Sequence, residues 1–180
     1  FFGVVSGDVT VRNAVLSFKY DYNTIVSIFG DSYIEGNSLL TSGGVYNKWS
    51  SLLADEIGTS FVHISGKGGE LANAAFVSRF KIENSLFKSP YVILAFGTNG
   101  TDFTIYTTYM QQLIGECRAN GQVPILQTIP PRQGVTYATY TKLVNDWVKA
   151  SGELYVDFNA ALTKPDDESV WIPKLSLIHI

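Results

Sequence analysis

Five short apolar runs rich in β-branched and aromatic residues alternate along this chain with four longer stretches whose apolar residues return every three to four positions. Few architectures satisfy such a switching period. The short runs are Thr24 to Phe29, Phe61 to Ile64, Tyr91 to Phe96, Val123 to Thr128 and Leu154 to Val156, read as strands. Between them the spacing predicts helices near Tyr46 to Ile57, with Trp49, Leu52, Leu53 and Ile57 on one face, and over about Glu70 to Phe87. Two more are expected over about Thr107 to Asn120, ended by Gly121, and over about Tyr137 to Ser151, where Tyr140, Leu143, Val144, Trp147 and Val148 form a stripe. The sum is βαβαβαβαβ. Continuous apolar strands joined by crossover helices form a mostly parallel sheet covered on both faces, and ligand chemistry in such a sheet belongs outside the carboxyl ends of the strands.

At 180 residues, 46% of them hydrophobic and 16% charged, the chain supports one full core without a disulfide, and its single cysteine, Cys117, reads as part of that core. The domain is expected over residues 23–180. Residues 1–22 are different: Val9, Val11, Val15, Leu16, Phe18 and Tyr20 suggest extended segments belonging to an edge, a linker or a preceding domain. A formal charge of -3, with neither sign massed in a block, argues against a nucleic-acid partner. No run of about 18 apolar residues appears, so a transmembrane segment is not expected. A leader or additional domains ahead of residue 1 are compatible with the sequence, as is either redox compartment, including an extracellular or virion-associated setting.

Three of the strands run into glycine-marked polar turns. Gly30-Asp31-Ser32-Tyr33 follows the first and puts the Ser32 hydroxyl at the carboxyl edge of the sheet, with Asp31 suited to hold the turn through nearby backbone. Ser65-Gly66-Lys67-Gly68-Gly69 follows the second. Gly66 can offer an unobstructed N–H to a developing oxyanion, although three glycines also suit a flexible connection or a phosphate nest; the spacing of a nucleotide P-loop is absent. Gly97-Thr98-Asn99-Gly100 follows the third, and the Asn99 amide suits the same oxyanion. Each turn taken alone is also ordinary strand-to-loop chemistry.

Only two histidines are available as a general base. His63 lies in the apolar run Phe61-Val62-His63-Ile64 and reads as structural. His179 is the better base, since a neutral imidazole can take the serine proton and return it to a leaving alkoxide; its bland alternative is a histidine at a frayed end.

The ordered set Gly30-Asp31-Ser32-Tyr33, Ser65-Gly66, Gly97-Thr98-Asn99-Gly100 and His179 resembles the block pattern of the SGNH hydrolases, also called the GDSL lipase and esterase family. The resemblance spans Ile25 to His179. It implies a three-layer α/β/α, flavodoxin-like fold with a five-stranded sheet, and ester hydrolysis through an acyl-serine without a metal or other cofactor. Position by position it implies Ser32 as nucleophile and backbone donor, Gly66 as N–H donor, Asn99 as side-chain donor and His179 as base. The expected partner is an ester-bearing small molecule or glycan.

Four departures stand against the pattern. Ser176 occupies the place, three residues before the histidine, where the family usually has the aspartate that orients the imidazole; Asp166 or Asp167 is a candidate substitute. Ile180 closes the sequence where the family continues into a final helix, so a truncation is among the readings. Gly100 stands where Asp is more usual and is expected to loosen the third loop, while Tyr33 replaces the Leu of the older family name and is expected to line the pocket. Asp102, Phe103, Tyr106 and Tyr109 are expected on one wall of a cleft, with Pro130, Pro131, Arg132 and Gln133 on another, a setting for a short-chain or carbohydrate O-acetyl ester. Two competing classes remain: a noncatalytic carbohydrate-binding or structural module that kept the scaffold, favoured by Ser176, and a flavodoxin-like cofactor domain, supported by topology alone.

Overall fold

The structure is a computed structural model that describes residues 24–36, 49–58, 61–130, 135–164 and 167–171. The expected segment over residues 1–22 lies outside them, as do Pro131, Arg132, Gln133, Asp166, Ser176 and His179.

Five parallel strands form the central sheet: β1 (Val26–Gly30), β2 (Val62–Gly66), β3 (Tyr91–Ala95), β4 (Val123–Gln127) and β5 (Leu154–Val156), in the spatial order β2-β1-β3-β4-β5. Alternation along each strand divides the core in two. Phe29, Val92, Leu94 and Leu126 face a large cluster built with Phe76, Phe80, Met110, Leu113, Val144 and Val148, which come from α3 (Ala74–Phe87), α4 (Phe103–Ala119) and α5 (Val135–Ala150). Val26, Ile28, Ile93 and Ala95 face the opposite way, against Ile34 of the short α1 (Ser32–Glu35) and Trp49 and Leu53 of α2 (Trp49–Ile57). The Trp49 ring lies 5.1 Å from that of Phe158 in α6 (Phe158–Leu162), which extends the same layer. The result is the expected three-layer α/β/α sandwich. Cys117 is fully buried in the larger cluster as expected, and burial, with Glu116 and Glu153 adding to it, pushes its thiol pKa up to about 12.

Element ends differ from the sequence expectation in ways that bear on the site. Pairing with β1 carries β2 through Ser65 and Gly66, so Gly66 ends a strand rather than sitting in a turn. Asn73 caps α3, its Oδ1 accepting the Phe76 N–H at 2.9 Å, which leaves residues 67–73 as loop where helix was expected from Glu70. Asp102 caps α4 in the same way through Ile105 at 2.9 Å and starts that helix four residues early. A two-stranded antiparallel pair, β6 (Thr163–Lys164) with β7 (Asp167–Trp171), was not foreseen.

Candidate active site

The register of the sheet gathers the three polar turns. Gly30 is paired with Gly66 on one side and with Ala95 on the other, so β1, β2 and β3 end level with one another. The order reverses direction between β1 and β3, because the chain leaves β1 for the α1–α2 face and leaves β3 for the α4 face. A crevice opens at such a switch point. Ser32 and Asn99 sit in the two loops that diverge there, and Gly66 lies at the end of the neighbouring edge strand.

Ser32 is the first residue of α1 and is half-buried. Asp31, itself buried, makes this turn: its Oδ1 accepts the Tyr33 N–H at 3.0 Å, and its carbonyl accepts from Ile34 and Glu35, each at 3.0 Å. The Ser32 N–H donates to none of the described residues. This is the arrangement expected from Gly-Asp-Ser, with the difference that the turn continues into one helical turn.

Gly66 lies directly beneath α1. A Cβ at this position would stand 2.2 Å from the Glu35 backbone nitrogen, so packing alone demands glycine here. The Lys67 N–H donates to the Gly30 carbonyl at 3.1 Å, and Glu35 Oε2 accepts from the Gly68 N–H, which ties α1 to the glycine loop.

Asn99 is half-buried, and its Nδ2 donates to the Glu70 carbonyl at 3.1 Å. A primary amide carries two N–H groups, so one remains for another acceptor. Gly100, expected to loosen the third loop, is part of a hydrogen-bonded turn. Its N–H closes a turn on the Gly97 carbonyl at 2.9 Å, and a Cβ there would meet the Tyr140 hydroxyl at 2.2 Å; the tyrosine occupies the space a side chain at 100 would need.

Behind the second and third turns lies a charged network that the sequence did not single out. Arg79 on α3 donates from Nε to Glu70 Oε1 at 3.1 Å and from Nη2 to Glu70 Oε2, while its Nη1 reaches both Ser65 Oγ and Glu83 Oε1, the latter at 2.7 Å. Its guanidinium carbon stands 5.0 Å from the centre of the Phe76 ring. Burial disfavours charge on both Arg79 and Glu83, but the hydrogen bonds and neighbouring charges outweigh it: the bonds Arg79 donates to Glu70 and Glu83 raise the arginine pKa, and those Glu83 makes with Ser65 and Arg79 lower that of Glu83. The one available signal was the Arg79–Glu83 spacing of four on a predicted helix.

His63 takes the structural role. Its ring stacks on Phe87 at 3.6 Å between centroids and meets Phe29 edge-on at 5.5 Å. Burial lowers its pKa, with Arg79 adding to that and Glu83, 3.8 Å from Nε2, working against it. It pairs with Ser27, three residues before the end of β2, about 10 Å short of the carboxyl edge.

A cavity of about 160 Å³ borders Asn99 and is walled by Leu71, Gly97, Asp102, Ile105, Tyr106 and Tyr140 among others. Of the residues expected on this wall, Asp102 and Tyr106 are present. Phe103 and Tyr109 instead pack against the core, and Tyr33 is not part of the lining. Tyr106 is buried, which with Tyr140 nearby drives its phenol pKa upward. Among the described residues no group of His, Cys, Asp and Glu is disposed to hold a metal, and no helix is long and apolar enough to cross a membrane.

A parallel sheet in this order, with polar glycine-marked loops gathered at its switch point, defines a flavodoxin-like three-layer scaffold. Residues 28–179 match the GDSL-like lipase/acylhydrolase family, and the chain belongs to that family, the SGNH hydrolases. Membership supports hydrolase activity of the esterase type. Among solved structures, the fold is similar to that of a protein assigned to the G-D-S-L lipolytic family from Desulfitobacterium hafniense, with TM-score 0.68, 22% identity, and 83% of this chain and 85% of that one covered. A GDSL-like lipase from Bacteroides thetaiotaomicron gives TM-score 0.65 at 15% identity over 88% and 79%. An acetylxylan esterase from Geobacillus stearothermophilus gives 0.55 at 17% over 73% and 74%. No curated protein matches the sequence.

Proposed function

We propose that this protein is a serine esterase that cleaves short-chain carboxylic esters, carbohydrate O-acetyl esters being the favoured class, through an acyl-serine. The observation that carries the reading is the seating of Ser32 at the switch point, with its N–H donating to none of the described residues and with the Asn99 amide in the loop across the crevice. Ser32 Oγ attacks the ester carbonyl while His179 accepts its proton. The tetrahedral oxyanion takes hydrogen bonds from the Ser32 and Gly66 N–H groups and from the second N–H of Asn99 Nδ2. Collapse expels the alcohol, protonated by His179, and water then repeats the attack on the acyl-enzyme.

The cavity beside Asn99, which Ser32 and Gly66 do not line, is taken as the acyl pocket. At about 160 Å³ it is smaller than the roughly 300–1,000 Å³ of sites that enclose drug-sized ligands, and suits a group of a few heavy atoms. The similarity to an acetylxylan esterase points the same way. Ser176, in place of the usual aspartate, favours a second reading, a noncatalytic carbohydrate-binding module on the same scaffold.

Labelling with an alkyl fluorophosphonate separates the two. The esterase reading expects stoichiometric modification at Ser32, none in Ser32→Ala or His179→Ala, and p-nitrophenyl acetate cleaved faster than the octanoate. A folded protein that resists the reagent and leaves the acetate intact defeats it.

A further inference from the structure

We propose that Arg79 is a positioning residue for the oxyanion site, bracing the β2 end that carries Gly66 and the Glu70 segment that holds the Asn99 amide, and so fixing the direction of the Gly66 and Asn99 donors. This rests on the esterase reading, in which those residues are the donors.

The connection is continuous and made of named bonds. The Asn99 amide is held by the carbonyl of Glu70 at 3.1 Å, and the carboxylate of that same residue is gripped on both oxygens by Arg79. Arg79 Nη1 turns the other way, to Ser65 Oγ, one residue before Gly66. The N–H of Gly66 belongs to the peptide plane that joins it to Ser65 at the end of β2, where pairing with β1 sets the plane and the bond to Ser65 Oγ braces it from the α3 side. One guanidinium therefore holds the end of β2 and the loop after it, and reaches Asn99 through the Glu70 carbonyl.

Only arginine can do this from α3. A planar fork with five donors can hold a carboxylate along one edge and a hydroxyl along the other, whereas lysine presents a single point charge. Phe76, under the guanidinium at 5.0 Å, limits the tilt of the fork. The Glu70 side chain is 9% exposed, so its carboxylate depends on this partner. An ion pair serving only to stabilise the helix would be complete with Glu83, four residues on along the same helix; the bonds to Ser65 and Glu70 do something else.

The test compares Arg79→Gln and Arg79→Ala with Lys81→Gln, which removes a cation from the same helix where it pairs with Glu116. Arg79→Gln should lower kcat for p-nitrophenyl acetate by about 100-fold, the penalty of a misplacement near 1 Å, with KM within about twofold. Fluorophosphonate labelling of Ser32 should slow in parallel, and added guanidinium ion should restore part of the Arg79→Ala rate. Lys81→Gln should match the parent. The side-chain amide resonances of Asn99 should shift in Arg79→Gln and stay in place in Lys81→Gln. Ser65→Ala, which removes one limb only, should lose about tenfold and covers the case in which Arg79 variants do not fold. Unchanged kcat in folded Arg79→Gln, a fall shared equally by Lys81→Gln, or unmoved Asn99 resonances overturns the inference. A parent protein that resists fluorophosphonate defeats the esterase reading instead, and the Asn99 resonances then still decide whether Arg79 orders this loop.

Discussion

In the proposed reaction Gly66 answers to two demands of different kinds, and they can be pulled apart by mutation. The first is steric: the α1 backbone passes where a side chain would begin, with the Glu35 nitrogen 2.2 Å from a Cβ, and backbone cannot swing aside as a side-chain end can. Gly66→Ala should therefore destabilise the fold by about 1–3 kcal/mol, the usual range for forced overpacking, as a lower midpoint in urea. The second demand is chemical and falls on Asn99 as well. Asn99→Ala should reduce kcat by about 10² to 10³, the cost of one oxyanion donor, while losing only the bond to Glu70 from stability, about 1 kcal/mol. A large stability loss with little kinetic change at Asn99 would instead mark it as a loop fastener. Residue identity singled out Ser32, Gly66 and Asn99 in the sequence, because each lies two or three residues beyond the end of an apolar run. Arg79 and Glu70 were invisible because their meaning depends on which way a helix face and a loop point, which no local period encodes.

The five strands of the sheet and α2 to α5 were legible as entities and misjudged at their ends, for reasons that lie in single polar contacts, whereas α1, α6, β6 and β7 were not foreseen. The first turn of α4, Phe103-Thr104-Ile105-Tyr106, is aromatic and β-branched and has weak helical preference; the Asp102 side chain supplies the start that propensity does not. Asp102→Ala should cost about 1 kcal/mol in urea unfolding and fray that turn, read as faster amide exchange at Ile105. At the start of α6, Asp157 caps through Ala160 at 3.0 Å, accepts from Thr128 Oγ1 at 3.0 Å and pairs with Lys149 at 2.8 Å. Burial works against its charge, yet the bonds from Lys149, Ala160 and Thr128 hold its pKa below the usual carboxylate range. A depressed folded-state pKa contributes stability that is present above the unfolded value, near 3.9, and is lost as pH falls through the folded one. Asp157→Asn should thus be less stable than the parent at pH 7, with the two curves converging in acid. Parallel curves down to low pH would show that the bonds at this cap carry no charge dependence.

On the scale of the whole molecule, the site exists because the chain places β3 on the far side of β1 from β2. Sixty-seven residues separate Ser32 from Asn99, and only this reversal brings their loops to one crevice. Alternating periods predict a parallel sheet but leave the strand order open, since any order of the five strands is compatible with the same apolar runs; the structure supplies it. The same resemblance brings in a base whose usual partner is missing. In the proposed reaction the imidazole of His179 becomes positively charged as the oxyanion forms, and a carboxylate three residues earlier would stabilise that cation and hold the ring in the right tautomer; the neutral hydroxyl of Ser176 does less. Ser176→Asp should therefore raise kcat, by about tenfold or more. A carboxylate partner also raises the imidazole pKa, and the base works only when neutral, so the acid limb of kcat/KM should move to higher pH in this variant. A gain in kcat without that movement would place the new carboxylate elsewhere than on the ring. An unchanged rate, with His179→Ala still inactive, would mean that the imidazole already has an acidic partner.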